Sequence, residues 1–209
     1  MKASGGEQDQ DQDYEQEDAA RNRLLLLILI PLLILPMPRP PEILHAVLLP
    51  TPLGNFLAHF STDGLAQLDF PTRRARGEME SIEDLRGRFS DWAEQTQTAL
   101  LLALTTAPSR TPNLPLPPLD LTCGTKFRRR VWDELRRIPR GESRSYGQIA
   151  DELGKRKAAR AVGGACGANP IPVLIPCHRV LAASGGLGGF SGGLEWKRRL
   201  LAIEGVLLT

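Results

Sequence analysis

Beyond Ile43 the apolar positions fall into runs of strand length. Residues 44–49 are nearly all apolar, residues 50–55 carry turn formers, and residues 56–60 make a second run. Asp63-Gly64 marks a hairpin, with Leu65, Leu68 and Phe70 just past it. The period then changes. Ile82, Leu85, Phe89 and Trp92 recur at spacings of three and four, and Ser81 with Asp84 reads as a capping box, so a helix is expected from Ser81 to about Leu104. Five prolines between residues 105 and 118 break the pattern and predict a linker.

The rest of the chain has helical spacing. Thr125 is placed to cap a helix whose face carries Phe127, Val131, Trp132, Leu135 and Ile138, and Pro139 stops it. Ser145-Tyr146-Gly147-Gln148 is a second capping box, opening a short helix through Ile149 and Leu153 that ends at Gly154. A basic turn, Lys155-Arg156-Lys157, leads to a third helix over residues 158–168, closed by Asn169-Pro170. Two short helices across a tight glycine-containing turn predict a helix-turn-helix. A last helix is expected over residues 194–204, ended by Gly205.

The third helix is almost without bulk: Ala158, Ala159, Ala161, Gly163, Gly164, Ala165 and Gly167 leave little side chain on any face. Each interior glycine costs about 1 kcal/mol of helix stability relative to alanine. Packing on one neighbouring helix needs only one small face, so the spare slimness points to a second close approach. With Arg160 projecting from it, such a helix suits the minor groove of DNA, which is too narrow for an ordinary recognition helix.

Charge sharpens that reading. The 209 residues carry a net charge of +2, but residues 123–209 hold sixteen basic and seven acidic side chains, net +9. Residues 1–20 hold one lysine and seven acids, net −6, and almost no apolar groups, so disorder is expected there. Residues 24–35 are apolar but too short for a membrane span and broken by Pro31, and the acidic start lacks the form of a signal peptide. Residues 1–41 therefore read as a non-structural extension, and translation from Met37 is a sharper hypothesis that intact mass would test. The basic second half calls for an anionic partner, nucleic acid first, unless it is an ordinary solvated face.

Three cysteines (Cys123, Cys166, Cys177) and three scattered histidines show no disulfide framework and no zinc spacing, which fits a reducing compartment and no metal. One of the cysteines stands apart. In Pro172-Val173-Leu174-Ile175-Pro176-Cys177-His178-Arg179-Val180, prolines stiffen the backbone entering Cys177 and a histidine follows it. A thiolate so aimed is a nucleophile. A buried structural cysteine is the plainer alternative. The glycine-rich loop Ser184-Gly185-Gly186-Leu187-Gly188-Gly189-Phe190-Ser191-Gly192-Gly193 lacks the lysine of a phosphate loop and reads as a ligand wall around one aromatic.

Taken together, the second half resembles the O6-alkylguanine–DNA alkyltransferase family from about Gly124 to Gly205. The resemblance rests on Arg144-Ser145-Tyr146, Ala159-Arg160-Ala161-Val162-Gly163-Gly164-Ala165, Asn169-Pro170, Ile175-Pro176-Cys177-His178-Arg179-Val180, Gly189-Phe190-Ser191-Gly192-Gly193 and Leu201-Ala202-Ile203-Glu204-Gly205. It implies an α/β (α+β) fold: a small N-terminal ribonuclease-H-like strand/helix subdomain over residues 42–120, then a mainly helical C-terminal subdomain over 121–209 with a winged-helix-like helix-turn-helix.

The resemblance also implies roles. Cys177 would accept the alkyl group in a single turnover, His178 would take the thiol proton through a bridging water, and Glu204 would orient the imidazole. Asn169 would tie the cysteine segment to the turn after the slim helix, and Tyr146 would donate toward the departing guanine. Arg160 would fill the stack when the base is flipped out. Ala159, Ala161, Gly163, Ser145 and Arg128 would meet DNA, and Pro172, Phe190, Ser191 and Gly192 would wall the pocket. The implied partner is double-stranded DNA containing O6-alkylguanine, met by a monomer without cofactor or membrane, in the cytoplasm and nucleoid or in a nucleus. Phe190 stands where many relatives have tyrosine, Arg128 stands where glutamine is common, and no ligand set matches the zinc site of some relatives. A non-catalytic alkylated-DNA-binding module of the same fold, and a cysteine hydrolase using Cys177 and His178, are the competing readings.

Overall fold

Alternation sets the first layer. In β1 (His45–Leu49), β2 (Phe56–Ser61) and β3 (Gly64–Asp69), Val47, Leu49, Phe56, Ala58, Phe60, Leu65 and Leu68 turn to one interior. Burying each of the larger ones is worth roughly 1.5–3 kcal/mol. The strands form an antiparallel sheet in the order β1-β2-β3, His45 facing Phe60 and Leu49 facing Phe56, with an irregularity at His59/Phe60. These coordinates are a computed structural model that describes residues 40–71, 79–106 and 114–206. The chain divides into Met1–Arg39 and Pro40–Thr209, and the described residues belong to the second unit. The expectations for residues 1–39, Met37 included, and for the first part of the linker lie outside them.

Ser61 and Gly64 close the β2–β3 hairpin. Gly64 sits at φ +146, and a Cβ there would come 2.1 Å from the Pro118 carbonyl oxygen, so only glycine lets the returning linker pass. The linker end is pinned at that point: Leu65 N–H donates to Pro118 O at 2.8 Å, and Ser61 Oγ donates to the Asp120 carboxylate at 2.6 Å.

The helix expected from Ser81 is in two pieces. Ser81 caps only a 3₁₀ turn, Ile82–Asp84, with the Asp84 carboxylate accepting from the Ser81 N–H and hydroxyl at 2.9 Å each. Gly87, at φ +59, breaks the backbone before α1 (Arg88–Thr105) begins. The periodicity survives the break because Leu85 still faces the core. From α1, Ala93, Thr96, Ala99, Leu100, Ala103 and Leu104 cover the sheet.

The second layer is helical. Thr125 Oγ1 accepts from Arg128 N–H at 3.3 Å and opens α2 (Lys126–Arg137), whose Val131, Trp132 and Leu135 are buried. Ser145 and Gln148 form the expected capping box at the start of α3 (Tyr146–Glu152), which follows β4 (Arg144–Ser145). After Gly154 comes α4 (Ala159–Gly167), packed on both α2 and α3. Trp132 Nε1 donates to Ala165 O at 2.8 Å and fixes the height of α4. β4 pairs in parallel with β5 (Val180–Leu181), and α5 (Leu194–Ile203) closes the chain. That two-residue pairing places the start of α3 beside the Cys177–Arg179 3₁₀ turn. Among the described residues no helix is long and apolar enough to cross a membrane.

Candidate active site

The segment entering Cys177 is held by one amide. Asn169 Nδ2 donates to Ile175 O at 2.8 Å and lies 3.1 Å from Cys177 Sγ, while Oδ1 accepts from Ile171 N–H at 3.1 Å. Between those anchors the chain turns through Val173, a β-branched residue at φ +73, a conformation that such side chains avoid. Strain of this kind costs about 1–3 kcal/mol and persists only where the surroundings dictate it. Here three prolines, Asn169 and the Ile175 N–H bond to Ile171 O at 2.9 Å do so. Cys177 is buried, and burial pushes its thiol up to about 11, against the pull of the Asn169 hydrogen bond and the Lys197 charge.

His178, next in the 3₁₀ turn, is also buried, and its Nε2 lies 3.2 Å from Glu204 Oε1. Burial would raise the Glu204 carboxyl, but hydrogen bonds from His178 and Arg179 outweigh that and hold it down at about 2. A carboxylate can only accept, so Nε2 carries the imidazole hydrogen. The lone pair is then on Nδ1, which is buried with no hydrogen-bond partner among the described residues. Burial lowers the His178 pKa despite Glu204, so the ring is a neutral base. Arg179 grips the same carboxylate with Nε at 2.8 Å and a terminal nitrogen at 2.7 Å, and its other terminal nitrogen donates to Ile138 O at 2.6 Å.

The slim helix opens onto a cavity. Val162, Ala165 and Cys166 of α4 face inward, while Arg160, Ala161, Gly164 and Gly167 face out. A Cβ on Gly164 or Gly167 would meet nothing within 4 Å, so tight packing inside the protein does not require those glycines. Gly163 lies against the Tyr146 ring, where a Cβ would be 3.8 Å away. A cavity of about 650 Å³ is lined by Tyr146, Ala159, Arg160, Gly163, Phe190 and Ser191 among others. A second, of about 840 Å³, meets Asn169, Pro172, Ser191 and Gly192. Burial, helped by the neighbouring Cys166 and Cys177 sulfurs, raises the Tyr146 phenol and keeps it protonated as a donor.

The structure thus brings Asn169 to Cys177 and Glu204 to His178, and gathers Tyr146, Arg160, Ala159, Gly163, Phe190 and Ser191 around one cavity. Pro172 and Gly192 share the other with Asn169 and Ser191. Six candidates line neither cavity: Cys177, His178 and Glu204 are buried, Ser145 is spent on capping α3, and Ala161 and Arg128 are exposed on α4 and α2.

Lys197 escaped sequence reasoning. It is fully buried in α5, and Nζ donates to Val180 O at 2.6 Å and to Leu187 O, tying β5 to the glycine-rich loop. Burial lowers its pKa, while the Cys177 and Cys166 sulfurs nearby pull it up. Its signal was present, because it lies three and four residues before Leu200 and Leu201, on the face that turns inward. Phe70, just beyond β3, shows only the strand pattern in the sequence. It contacts Trp196 and Phe190 at centroid distances of 4.8 and 5.6 Å, and a Cβ on Gly192 would fall 2.4 Å from its ring.

The profile described as 6-O-methylguanine DNA methyltransferase, DNA binding domain, matches residues 126–206. The methylated-DNA–protein-cysteine methyltransferase of Mycolicibacterium paratuberculosis is 58% identical over 86 residues, 41% of this chain and 52% of that protein. That of Salmonella typhimurium is 54% identical over 87 residues, 42% of this chain and 51% of the relative. The chain thus spans about half the length of the curated relatives it matches. The crystal structure of Mycobacterium tuberculosis OGT in complex with DNA is 38% identical, with a TM-score of 0.60, and the match covers 77% of this chain and 92% of that one.

Proposed function

The chain belongs to the O6-methylguanine DNA methyltransferase family, and from that premise we propose that it repairs DNA by direct reversal. An alkyl group passes from O6 of guanine in duplex DNA to Cys177, and whether O4-alkylthymine is a second substrate is a question that intact-protein mass answers. The base must first leave the stack, because the alkyl carbon is out of reach within the duplex. In this reading the small-residue face of α4, with Ala159, Ala161 and Gly163, lies in the minor groove. Arg160, at the cavity mouth, takes the place of the flipped base, and Ser145 and Arg128 meet the backbone. Pro172, Phe190, Ser191 and Gly192 wall the space that receives the base.

The thiol proton moves through a water to His178 Nδ1, and Glu204 steadies the imidazolium that forms. Sulfur attacks the alkyl carbon in line, so the S–C bond forms as the C–O bond breaks. The electron pair stays on guanine, which Tyr146 assists by hydrogen bond or proton donation, assistance worth about a hundred- to ten-thousand-fold in rate. The step balances without a cofactor. A thioether has no easy hydrolytic exit, so each molecule acts once. We place residues 42–120 as a supporting subdomain and 121–209 as the acting one, in a monomer working where DNA is held: cytoplasm and nucleoid, or nucleus.

The observation that carries this reading is the pairing of Asn169 with Cys177 and of Glu204 with a neutral His178 whose Nδ1 is unengaged. The test is intact-protein mass after incubation with duplex DNA carrying one O6-methylguanine, followed by peptide mapping. One methyl group on Cys177, stoichiometric and irreversible, is the expected result. Unchanged mass with DNA still bound would leave the non-catalytic module as the better reading, and continued turnover would indicate a hydrolase.

A further inference from the structure

We propose that Arg140 is a positioning residue for the Glu204–His178 pair, through which the end of α1 acts on the reacting side chains. This rests on the alkyl-transfer reading above. Arg140 follows Pro139 in the turn after α2, a place where an arginine is ordinarily solvated. Its side chain is instead only 2% exposed, a figure that excludes a surface role. One terminal nitrogen donates to Ala103 O at 3.0 Å, and the other donates to Thr106 O at 2.8 Å and to Ile203 O at 3.2 Å. One planar fork thereby satisfies carbonyls at the C-terminal ends of both α1 and α5, where backbone acceptors lack helical partners and partial negative charge collects.

The same fork reaches the site. Its first terminal nitrogen lies 3.5 Å from Glu204 Oε1, the oxygen that takes the His178 hydrogen bond. A helix cap needs no such contact. Glu204 directly follows Ile203, so holding the Ile203 carbonyl fixes the root of the glutamate side chain as well as its tip. The charges facing His178 are Lys197 from α5, Glu204 at the cap of that helix and Arg179 beside it, with Cys177 preceding it and Arg140 across the carboxylate. A cation at Glu204 Oε1 competes with a protonated His178 for the same oxygen. Arg140 therefore keeps the imidazole neutral as well as oriented. The first subdomain takes part in reactivity through this contact, since the cation is held by the last turn of α1.

The sign follows. Removing the Arg140 charge frees Glu204 to favour imidazolium, so His178 binds its proton more tightly and stays protonated to higher pH. Transfer needs the neutral ring, so its acid limb moves up with it.

The experiment compares the full chain with Arg140→Gln and Arg140→Lys in two readouts: the His178 ring titration by NMR, and single-turnover methyl transfer against pH. For Arg140→Gln we expect the His178 midpoint to rise by about half a unit, from loss of a cation one residue removed. Transfer should slow by up to about threefold at pH values below the midpoint, with the loss recovered at neutral pH and above. Arg140→Lys should keep the midpoint but transfer more slowly, because a point charge cannot span two helix ends and a carboxylate. A folded Arg140→Gln whose His178 titrates as in the wild type overturns the proposal. If Arg140→Gln does not fold, wild-type transfer by Arg140→Lys overturns it instead. Wild-type protein that transfers nothing, while the titration still shifts in Arg140→Gln, would overturn the alkyl-transfer reading and leave the coupling standing.

Discussion

The Tyr146 hydroxyl lies so close to Gly188 that a Cβ there would come within 2.7 Å of it. Gly188 also sits at φ +64, in the left-handed region that glycine alone enters freely. The phenol and the glycine-rich loop are thus fitted to one another. Gly188→Ala should push the ring aside and destabilise the protein by about 1 kcal/mol or more from backbone strain. Methyl transfer should fall more than stability does, because Tyr146 assists the leaving guanine. Single-turnover rates beside thermal melts would test this. A variant that melts lower but transfers at the wild-type rate would remove Tyr146 from the reaction.

Asn169→Ala should be costly for a different reason. It leaves Ile171 N–H unpaired in the interior, at about 1–3 kcal/mol for a buried group left without a partner, and leaves Ile175 O with the Cys177 N–H as its donor. It also removes the hydrogen bond that restrains the Cys177 thiol from rising further. Urea denaturation should report lower stability, and the pH dependence of Cys177 alkylation by iodoacetamide should shift to higher pH. Unchanged thiol reactivity would confine Asn169 to structure.

Much of this was legible in order along the chain. Strand alternation from Val47 to Leu68 and the caps at Thr125 and Ser145 follow from local rules, and the structure has them where those rules put them. The break before α1 was not legible, because Leu85 keeps the helical period of Phe89 and Trp92 across Gly87. Nor was the β4–β5 pairing, which is two residues long and joins positions 36 apart. For the site, motif order pointed to Cys177, His178 and Asn169. Of the buried cations, Lys197 lies at helical spacing from Leu200 and Leu201, whereas nothing local distinguishes Arg140 from a solvated arginine. Their partners are backbone carbonyls from distant segments, and those leave no trace in composition.

Lys197→Met keeps the length of the side chain but removes the charge and both hydrogen bonds. The Val180 and Leu187 carbonyls lose their donor, and the positive charge that favours the Cys177 thiolate disappears. The Cys177 thiol, already at about 11, should rise further, and transfer at neutral pH should fall at least tenfold. Thiolate absorbance in the ultraviolet, followed against pH, separates the two effects. Slower transfer with an unmoved thiolate titration would assign Lys197 to holding the loop alone.

Acid should unfold the protein through the pair at the base of the site. Glu204 is held at about 2 in the fold and titrates near 4.3 when unfolded, so its contribution is complete above the unfolded value. It is lost as pH falls toward 2, and amounts to about 3 kcal/mol on the linkage relation. His178 adds loss of the same sign. Its folded pKa is depressed, so the unfolded chain takes up that proton first as pH drops through about 6.5. Stability should therefore begin to decline below about pH 6.5 and fall more steeply below about 4.5. Glu204→Gln should flatten the lower part of that curve while lowering stability at neutral pH, where Arg179 and Arg140 would be left with no carboxylate. Chemical denaturation at several pH values would check it, and a Glu204→Gln curve parallel to the wild type below pH 5 would show that other carboxylates govern the acid transition.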